Sequence, residues 1–67
     1  AEMYTLAVPQ RMIGVLFGDA LDLVSRQTGA VLIGICRGGE LRLSPPRETS
    51  LEHGDELLAI AQDKPIL

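Results

Sequence analysis

Residues 30–46, AVLIGICRGGELRLSPP, decide the fold. The first seven form an apolar run rich in β-branched residues, which is typical of a central strand covered on both faces. A buried helix is the alternative, but the run is short and contains Gly34. Gly38 and Gly39 supply the positive φ angles of a two-residue hairpin turn, and Pro45 ends the return strand. This stretch therefore predicts an antiparallel hairpin.

A helical pattern precedes the hairpin in residues 16–29, LFGDALDLVSRQTG. Its apolar residues recur at the spacing of one helical stripe, and they are Phe17, Ala20, Leu21 and Val24. Either Gly18 or Asp19 is predicted to cap the start of the helix. Gly29 is predicted to end it in a left-handed conformation.

Two more strands are predicted outside the hairpin, at residues 3–8, MYTLAV, and residues 56–61, ELLAIA. In the loop between the hairpin and the last strand, Thr49 and Glu52 have the spacing of a capping box, which predicts one short helical turn. The expected class is α+β, with a small, largely antiparallel sheet and with one main helix and a short helical turn on one face.

The length of 67 residues predicts a single domain, residues 1–67, of marginal stability. The only cysteine, Cys36, cannot form an internal disulfide, and one cysteine with one histidine cannot close a zinc site. We therefore expect a second subunit or a neighbouring domain to stabilise the chain. The first residue, Ala1, and the apolar end suggest a fragment of a larger protein.

The charge pattern argues against a nucleic-acid partner. The net charge is −3, the six Lys and Arg residues are scattered, and Tyr4 and Phe17 are the only aromatic residues. No apolar stretch approaches the roughly 20 residues of a membrane span, and no signal peptide is visible.

No pattern of catalytic residues stands out, so an enzyme is not predicted. The serines lack a G-x-S-x-G context, and no phosphate-binding glycine loop is present. Arg37, Arg42 and Arg47 flank the hairpin and the proline loop, where they would either gather around an anionic ligand or form an ordinary solvated rim. His53 is either a ligand contact or a solvated loop residue.

A series of short motifs follows in a recognisable order. They are Ile13-Gly14 with Phe17, Ile35-Cys36-Arg37, Gly38-Gly39, residues 43–46, and Thr49, Leu51 and Gly54-Asp55. With this order and spacing, about residues 3–62 resemble the C-terminal regulatory domain of RCK proteins, the regulators of potassium conductance, also called the TrkA C-terminal domain. Residues 16–35 are most similar to RCK domains attached to potassium channels.

The resemblance implies a cytoplasmic regulatory domain that follows a Rossmann-like half and gates a potassium channel or transporter in the membrane. It implies homodimers that assemble into a ring, with a small ligand such as cyclic di-AMP between paired domains and no cofactor within this fragment. The residues expected at the ligand are Arg37, Pro45, Pro46, Arg47 and His53. Those expected at the dimer interface are Met12, Ile13, Leu16 and Phe17. No metal site is expected.

Two alternatives stay open. Residues 51–61, LEHGDELLAIA, also look like a strand of PDZ domains, which bind a peptide as an added strand at a sheet edge. The TrkA-C fold is also reused to regulate other transporters and transcription factors, and a fold does not fix a function.

Overall fold

The computed structural model describes residues 1–67 and contains one antiparallel sheet of four strands. The strands lie in the order β1-β4-β2-β3, so that β3 is one edge and β1 the other. The predicted α+β class is confirmed. The elements are β1 (Glu2–Ala7), a 3-10 turn (Gln10–Met12), α1 (Phe17–Thr28), β2 (Val31–Arg37), β3 (Glu40–Leu43) and β4 (Glu56–Ala61).

Helix α1 ends as predicted and begins differently. Gly29 has a φ of 78° and donates its N–H to the carbonyl of Ser25, which is the left-handed end that the sequence indicated. The predicted caps, Gly18 and Asp19, both lie inside the helix, whose N-cap residue is Leu16 without a capping side chain. The amide of Gly18 instead donates to the carbonyl of Arg47 at 2.9 Å. Carbonyls of a distant loop therefore replace a local cap.

The short helical turn lies in a different place from the one predicted. The capping-box spacing of Thr49 and Glu52 does not start a helix, and the 3-10 turn comes before α1 instead. Thr49 is held to the tertiary structure, because its carbonyl accepts the amide of Phe17 at 2.7 Å.

Helix α1 covers one face of the sheet, which we call the helix face. The register pairs Leu57 of β4 with Leu6 of β1 and with Ile35 of β2, so these three side chains point to the same side. They form one core cluster with the apolar stripe of the helix. The largest fully buried side chains are Leu32, Ile35, Leu51, Leu57 and Val24.

A bulge in β2 reverses the alternation of the strand. The register with β4 shifts between Leu32 and Gly34, which leaves Ile33 as the extra residue. Leu32 and Ile35, although three residues apart, therefore both point to the helix face, and both are at most 2% exposed.

The other face of the sheet, which we call the open face, has no layer against it. Met3, Ile60 and Val31 form one row across β1, β4 and β2, and they are 61%, 38% and 50% exposed. The prediction that the first strand of the hairpin is covered on both faces is therefore wrong. The strand is internal to the sheet, but a chain with a single helix has only one layer to place on it.

The hairpin forms as predicted. Gly38 and Gly39 have φ angles of 57° and 78°, as a two-residue turn between twisted strands requires. Gly34 has a separate purpose, since a Cβ atom there would lie 2.7 Å from the carbonyl oxygen of Arg42 on β3. The single helix, α1, is too short to span a membrane.

Candidate functional site

The Gly-Asp turn before β4 is built around a buried carboxylate. Gly54 has a φ of 88°, which permits the tight turn, and the amide of Asp55 donates to the carbonyl of Glu52 at 3.1 Å. In return, the amide of Glu52 donates to Oδ2 of Asp55 at 2.8 Å. Asp55 is 2% exposed and is the only charged residue in the core. A charge at that depth requires a partner of opposite sign.

Arg37, the last residue of β2, is that partner. Its Nε and Nη2 atoms donate to Oδ1 and Oδ2 of Asp55, both at 2.8 Å, in a bidentate pair. Nη2 also donates to the carbonyl of Ser50 at 3.0 Å, and Nη1 lies 3.1 Å from Oε2 of Glu52. One guanidinium therefore fastens the end of β2 to the whole turn.

Each member of the Arg37–Asp55 pair shifts the pKa of the other. The hydrogen bonds from Arg37 hold the pKa of Asp55 below its usual value, helped by the Glu52 amide and opposed by burial. The same hydrogen bonds raise the pKa of Arg37 above its usual value. Both groups are charged at neutral pH, and each stabilises the charge of the other.

Arg37 is thus placed as a structural clamp. Its three guanidinium nitrogens are each within 3.1 Å of a protein oxygen, and its predicted contact with a ligand stays a prediction. His53, in the same turn, is exposed.

A second region lies where the loop after β3 meets the start of α1. Ser44 has a φ of 46°, the only positive value outside glycine, and it turns the chain out of β3. Pro45 is buried, Pro46 is exposed, and Leu16 bridges to Ser50 as an isolated pair of extended residues. The loop is therefore anchored at both ends and offers its middle to solvent.

Arg47 is the exposed cation of this loop. Its side chain is 61% exposed, and its Nη2 donates to Oδ2 of Asp22 at 2.8 Å and to the carbonyl of Gly18 at 3.2 Å. Gly18 allows this approach, because a Cβ atom there would lie 2.7 Å from Nε of Arg47. Arg47 uses only two of its five N–H donors, both on Nη2, and keeps the other three for an incoming anion, whereas Arg37 has four of its five engaged.

The five predicted ligand residues therefore fall into two groups. Pro45, Pro46 and Arg47 lie beside the start of α1, whereas Arg37 and His53 belong to the turn before β4. No hydrogen bond or ion pair joins Arg37 or His53 to Arg47.

The predicted interface residues are also divided. Met12 and Phe17 are 3% and 2% exposed, because both side chains belong to the core cluster. They have almost no surface to offer a partner. Leu16 is 40% exposed and Ile13 is half-buried, so only these two are available for contact.

Sequence reasoning missed the partners that give these arginines their roles. Asp55 belongs to the Gly54-Asp55 motif, but the motif does not indicate its pairing with Arg37 across 18 residues. Asp22, on the exposed side of α1, accepts a hydrogen bond from Arg47 across 25 residues. No local pattern marks either pair, because both depend on where β2 and the loop after β3 come to lie.

The one cavity of the chain lies elsewhere. It has a volume of about 410 Å³, and it is lined by Thr28 and Gly29 at the end of α1 and by residues 61–66. None of the predicted ligand residues contributes to it. No cluster of three potential metal ligands occurs in the structure.

Comparison with solved structures identifies the family. The RCK C domain of the potassium transport protein KtrA, in complex with cyclic diadenosine monophosphate, is 32% identical, with a TM-score of 0.77 over 92% of this chain and 71% of that one. The chain belongs to the RCK C-terminal domain family. The predicted resemblance is confirmed, and the PDZ interpretation of residues 51–61 is set aside.

A second RCK C domain shares the fold. The RCK C domain dimer of S. agalactiae BusR, in complex with cyclic di-AMP, is 24% identical, with a TM-score of 0.71 over 91% of this chain and 75% of that one. BusR in complex with its busAB promoter DNA aligns equally well, but this RCK C domain spans only 30% of that chain. No family model matches the sequence.

Proposed function

We propose that this RCK C domain is a ligand-sensing, dimerising domain that binds cyclic di-AMP and regulates a potassium channel or transporter. The observation that carries this proposal is the similarity to the KtrA domain, which is held in complex with that nucleotide. The BusR domain, a dimer in complex with cyclic di-AMP, supports a site formed by two paired chains. In this proposal the domain performs no catalysis and works at the cytoplasmic face of the membrane as part of a larger protein.

Arg47 is the residue proposed to meet the ligand. Cyclic di-AMP carries two phosphates, and a guanidinium recognises a phosphate with two parallel hydrogen bonds. Arg47 has the exposure that this contact needs, and Asp22 orients its side chain from one side. Pro46 adds an exposed apolar surface next to it. Arg37 acts indirectly, by fixing the turn before β4.

Isothermal titration calorimetry of the 67-residue chain with cyclic di-AMP tests the proposal. We expect saturable binding of one nucleotide per two chains. Arg47→Gln should weaken it by about tenfold, because one charge-assisted contact to phosphate is lost. Arg11→Gln is the matched control, since it removes the same charge from an exposed position in the 3-10 turn.

Two outcomes would contradict the proposal. If millimolar cyclic di-AMP produces no heat of binding, this nucleotide is not the ligand. If Arg11→Gln weakens binding as much as Arg47→Gln does, the effect of Arg47 is general electrostatic attraction and not a specific contact. Potassium flux through the parent protein, measured with and without the nucleotide, tests the transport part separately. Binding without any effect on flux would favour a regulator of another kind.

Regulation of transcription is the alternative that a specific observation favours. BusR, which shares this fold, is known in complex with its promoter DNA. The prediction that this chain has no nucleic-acid partner stays a prediction. A gel-shift experiment with the parent protein and its own upstream DNA separates a regulator of transcription from a regulator of transport.

A further inference from the structure

The segment that follows β4, residues 62–67, lies beside the end of α1 without regular structure, and we call it the strap. No hydrogen bond or ion pair joins the strap to the rest of the chain. Apolar contacts hold it instead, since Pro65 is buried and Leu67 packs against the core cluster. A segment with so few contacts opens at a low cost in free energy.

The cavity of about 410 Å³ lies between the strap and the helix. Its volume falls within the range of roughly 300–1,000 Å³ that is typical of small-molecule sites. Thr28 and Gly29 form the wall on the side of the helix, and Ala61 and the strap form the opposite wall. A ligand in this cavity would therefore touch both segments at once.

The wall at the end of α1 is electronegative. The last carbonyls of a helix have no amide one turn further on, and they carry the negative end of the helix dipole. Here the amide of Gly29 donates to the carbonyl of Ser25, and the amide of Ala30 donates to the hydroxyl of Thr28. The carbonyls of residues 26–28 therefore accept no backbone hydrogen bond, and they favour a positive group in the cavity.

The strap brings one charge of each sign to the same cavity. Asp63 and Lys64 both line it, both are exposed, and neither forms an ion pair within the chain. A simple cation would be repelled by Lys64, and a simple anion would be repelled by Asp63 and by the helix carbonyls. A ligand that carries both charges satisfies all of these groups together.

We propose that this cavity binds a small zwitterion of the α-amino-acid class. The ammonium group of the ligand lies between the carboxylate of Asp63 and the free carbonyls of α1, and its carboxylate accepts hydrogen bonds from Lys64. Ala61 and Pro65 contact a short aliphatic side chain. This site is separate from the Arg47 region, so the inference does not depend on cyclic di-AMP.

Binding would fasten the strap to the helix. The ligand supplies the polar contacts that the strap lacks within the chain, and it bridges Asp63 to the last turn of α1. We expect a dissociation constant on the order of 1 mM, because the charges stay partly in water and the strap has to be ordered. The expected consequence is a strap that is rigid with the ligand and more mobile without it.

An NMR titration of the 67-residue chain with L-alanine tests the site. The amide signals of Thr28, Gly29 and the strap should shift and saturate, and the heteronuclear NOE of the strap should rise. Ethylamine and propionate are the matched probes, since each keeps the carbon chain and only one of the two charges. Each should bind at least about tenfold more weakly than L-alanine, because one charge-assisted contact is lost.

Charge removal in the strap tests the two contacts separately. Asp63→Asn and Lys64→Gln should each weaken the binding of L-alanine by at least about fivefold. The matched controls are Glu56→Gln, on the open face, and Arg11→Gln, in the 3-10 turn, and neither should change it. Circular dichroism checks that each variant folds, as expected for exposed side chains.

Three results would overturn the inference. The first is an absence of saturable shifts in the strap at about 100 mM L-alanine. The second is equal binding of ethylamine, which would make the cavity a site for cations and not for zwitterions. The third is unchanged binding by both strap variants. Arg47→Gln should leave the L-alanine titration unchanged, so a failure of the cyclic di-AMP proposal does not affect this test.

Discussion

The two arginine–aspartate pairs of this domain have the same length and different surroundings. Nη2 of Arg37 and Nη2 of Arg47 each lie 2.8 Å from an aspartate oxygen. The carboxylate of Asp55 is 1% exposed, however, and that of Asp22 is 46% exposed. Arg37 also spans 18 residues to join the end of β2 to the turn before β4. Arg47 rests on the surface of α1.

The comparison shows that the distance between the charged atoms does not by itself determine how much an ion pair contributes to stability. An exposed pair is screened by water and salt and contributes about 0–1 kcal/mol. Removing one partner of a buried pair leaves the other charge without compensation, and the penalty reaches about 3–5 kcal/mol. The buried pair is therefore structural, while the exposed pair keeps a cation available for binding.

Asp55→Ala should have the largest effect. It leaves the Arg37 side chain, which is 24% exposed, without its buried partner, and it leaves the Glu52 amide without its acceptor. We expect the free energy of unfolding to fall by about 3 kcal/mol, which is a large part of the stability of so small a domain. Urea denaturation followed by circular dichroism measures it. A loss below about 1 kcal/mol would show that the Arg37–Asp55 pair contributes no more to stability than an exposed pair such as Arg47–Asp22.

Acid should weaken the Arg37–Asp55 pair in the unmodified chain and so lower the stability of the fold. The pKa of Asp55 is lower in the folded chain than in the unfolded chain, so the unfolded chain binds more protons in acid. The stabilisation is fully present above about pH 4 and is lost as the pH falls through the folded pKa. Thermal melts from neutral pH downward measure this slope. Asp55→Asn should flatten it, and an unchanged slope would assign the acid sensitivity to other carboxylates.

Arg37→Lys should have an intermediate effect. Lysine keeps the charge but cannot donate two parallel hydrogen bonds to Asp55 while also reaching Ser50. The expected loss is about 1–2 kcal/mol in the free energy of unfolding. Arg47→Lys is the matched control and should change stability by less than about 0.5 kcal/mol. Equal effects at the two positions would show that the bidentate geometry is unimportant.

Asp22→Ala should have the smallest effect on folding. The exposed pair with Arg47 is worth about 0.5 kcal/mol or less, and concentrated salt should erase most of that difference. The same urea series at low and high salt provides the measurement. A loss comparable to that of Asp55→Ala would mean that Arg47 holds the loop against α1 more firmly than its exposure indicates.

The local elements could be predicted from the sequence because their causes are local. Gly38 and Gly39 specify the hairpin, and the stripe through Phe17 and Val24 specifies the helix. Gly29 specifies its end. Each of these signals depends on residues within a few positions of one another, and each is confirmed.

The contacts of the candidate site could not be predicted, because they depend on registers between distant segments. The pair of Arg37 and Asp55 requires the alignment of β2 with β4, and that alignment contains a bulge at Ile33. The start of α1 could not be predicted either. The amides of Phe17 and Gly18 donate to the carbonyls of Thr49 and Arg47, and no sequence pattern near Gly18 indicates these distant partners.

The order of the strands in the sheet has a consequence for biosynthesis. Strand β4 is the last element of the chain, yet it lies between β1 and β2, and Glu2 is opposite Ala61. Until residues 56–61 emerge from the ribosome, β1 has no partner and the core lacks its middle. Such long loops close slowly. Folding of this domain must therefore wait for residues 56–61, and a chain truncated before Glu56 should lack the strand that joins β1 to β2.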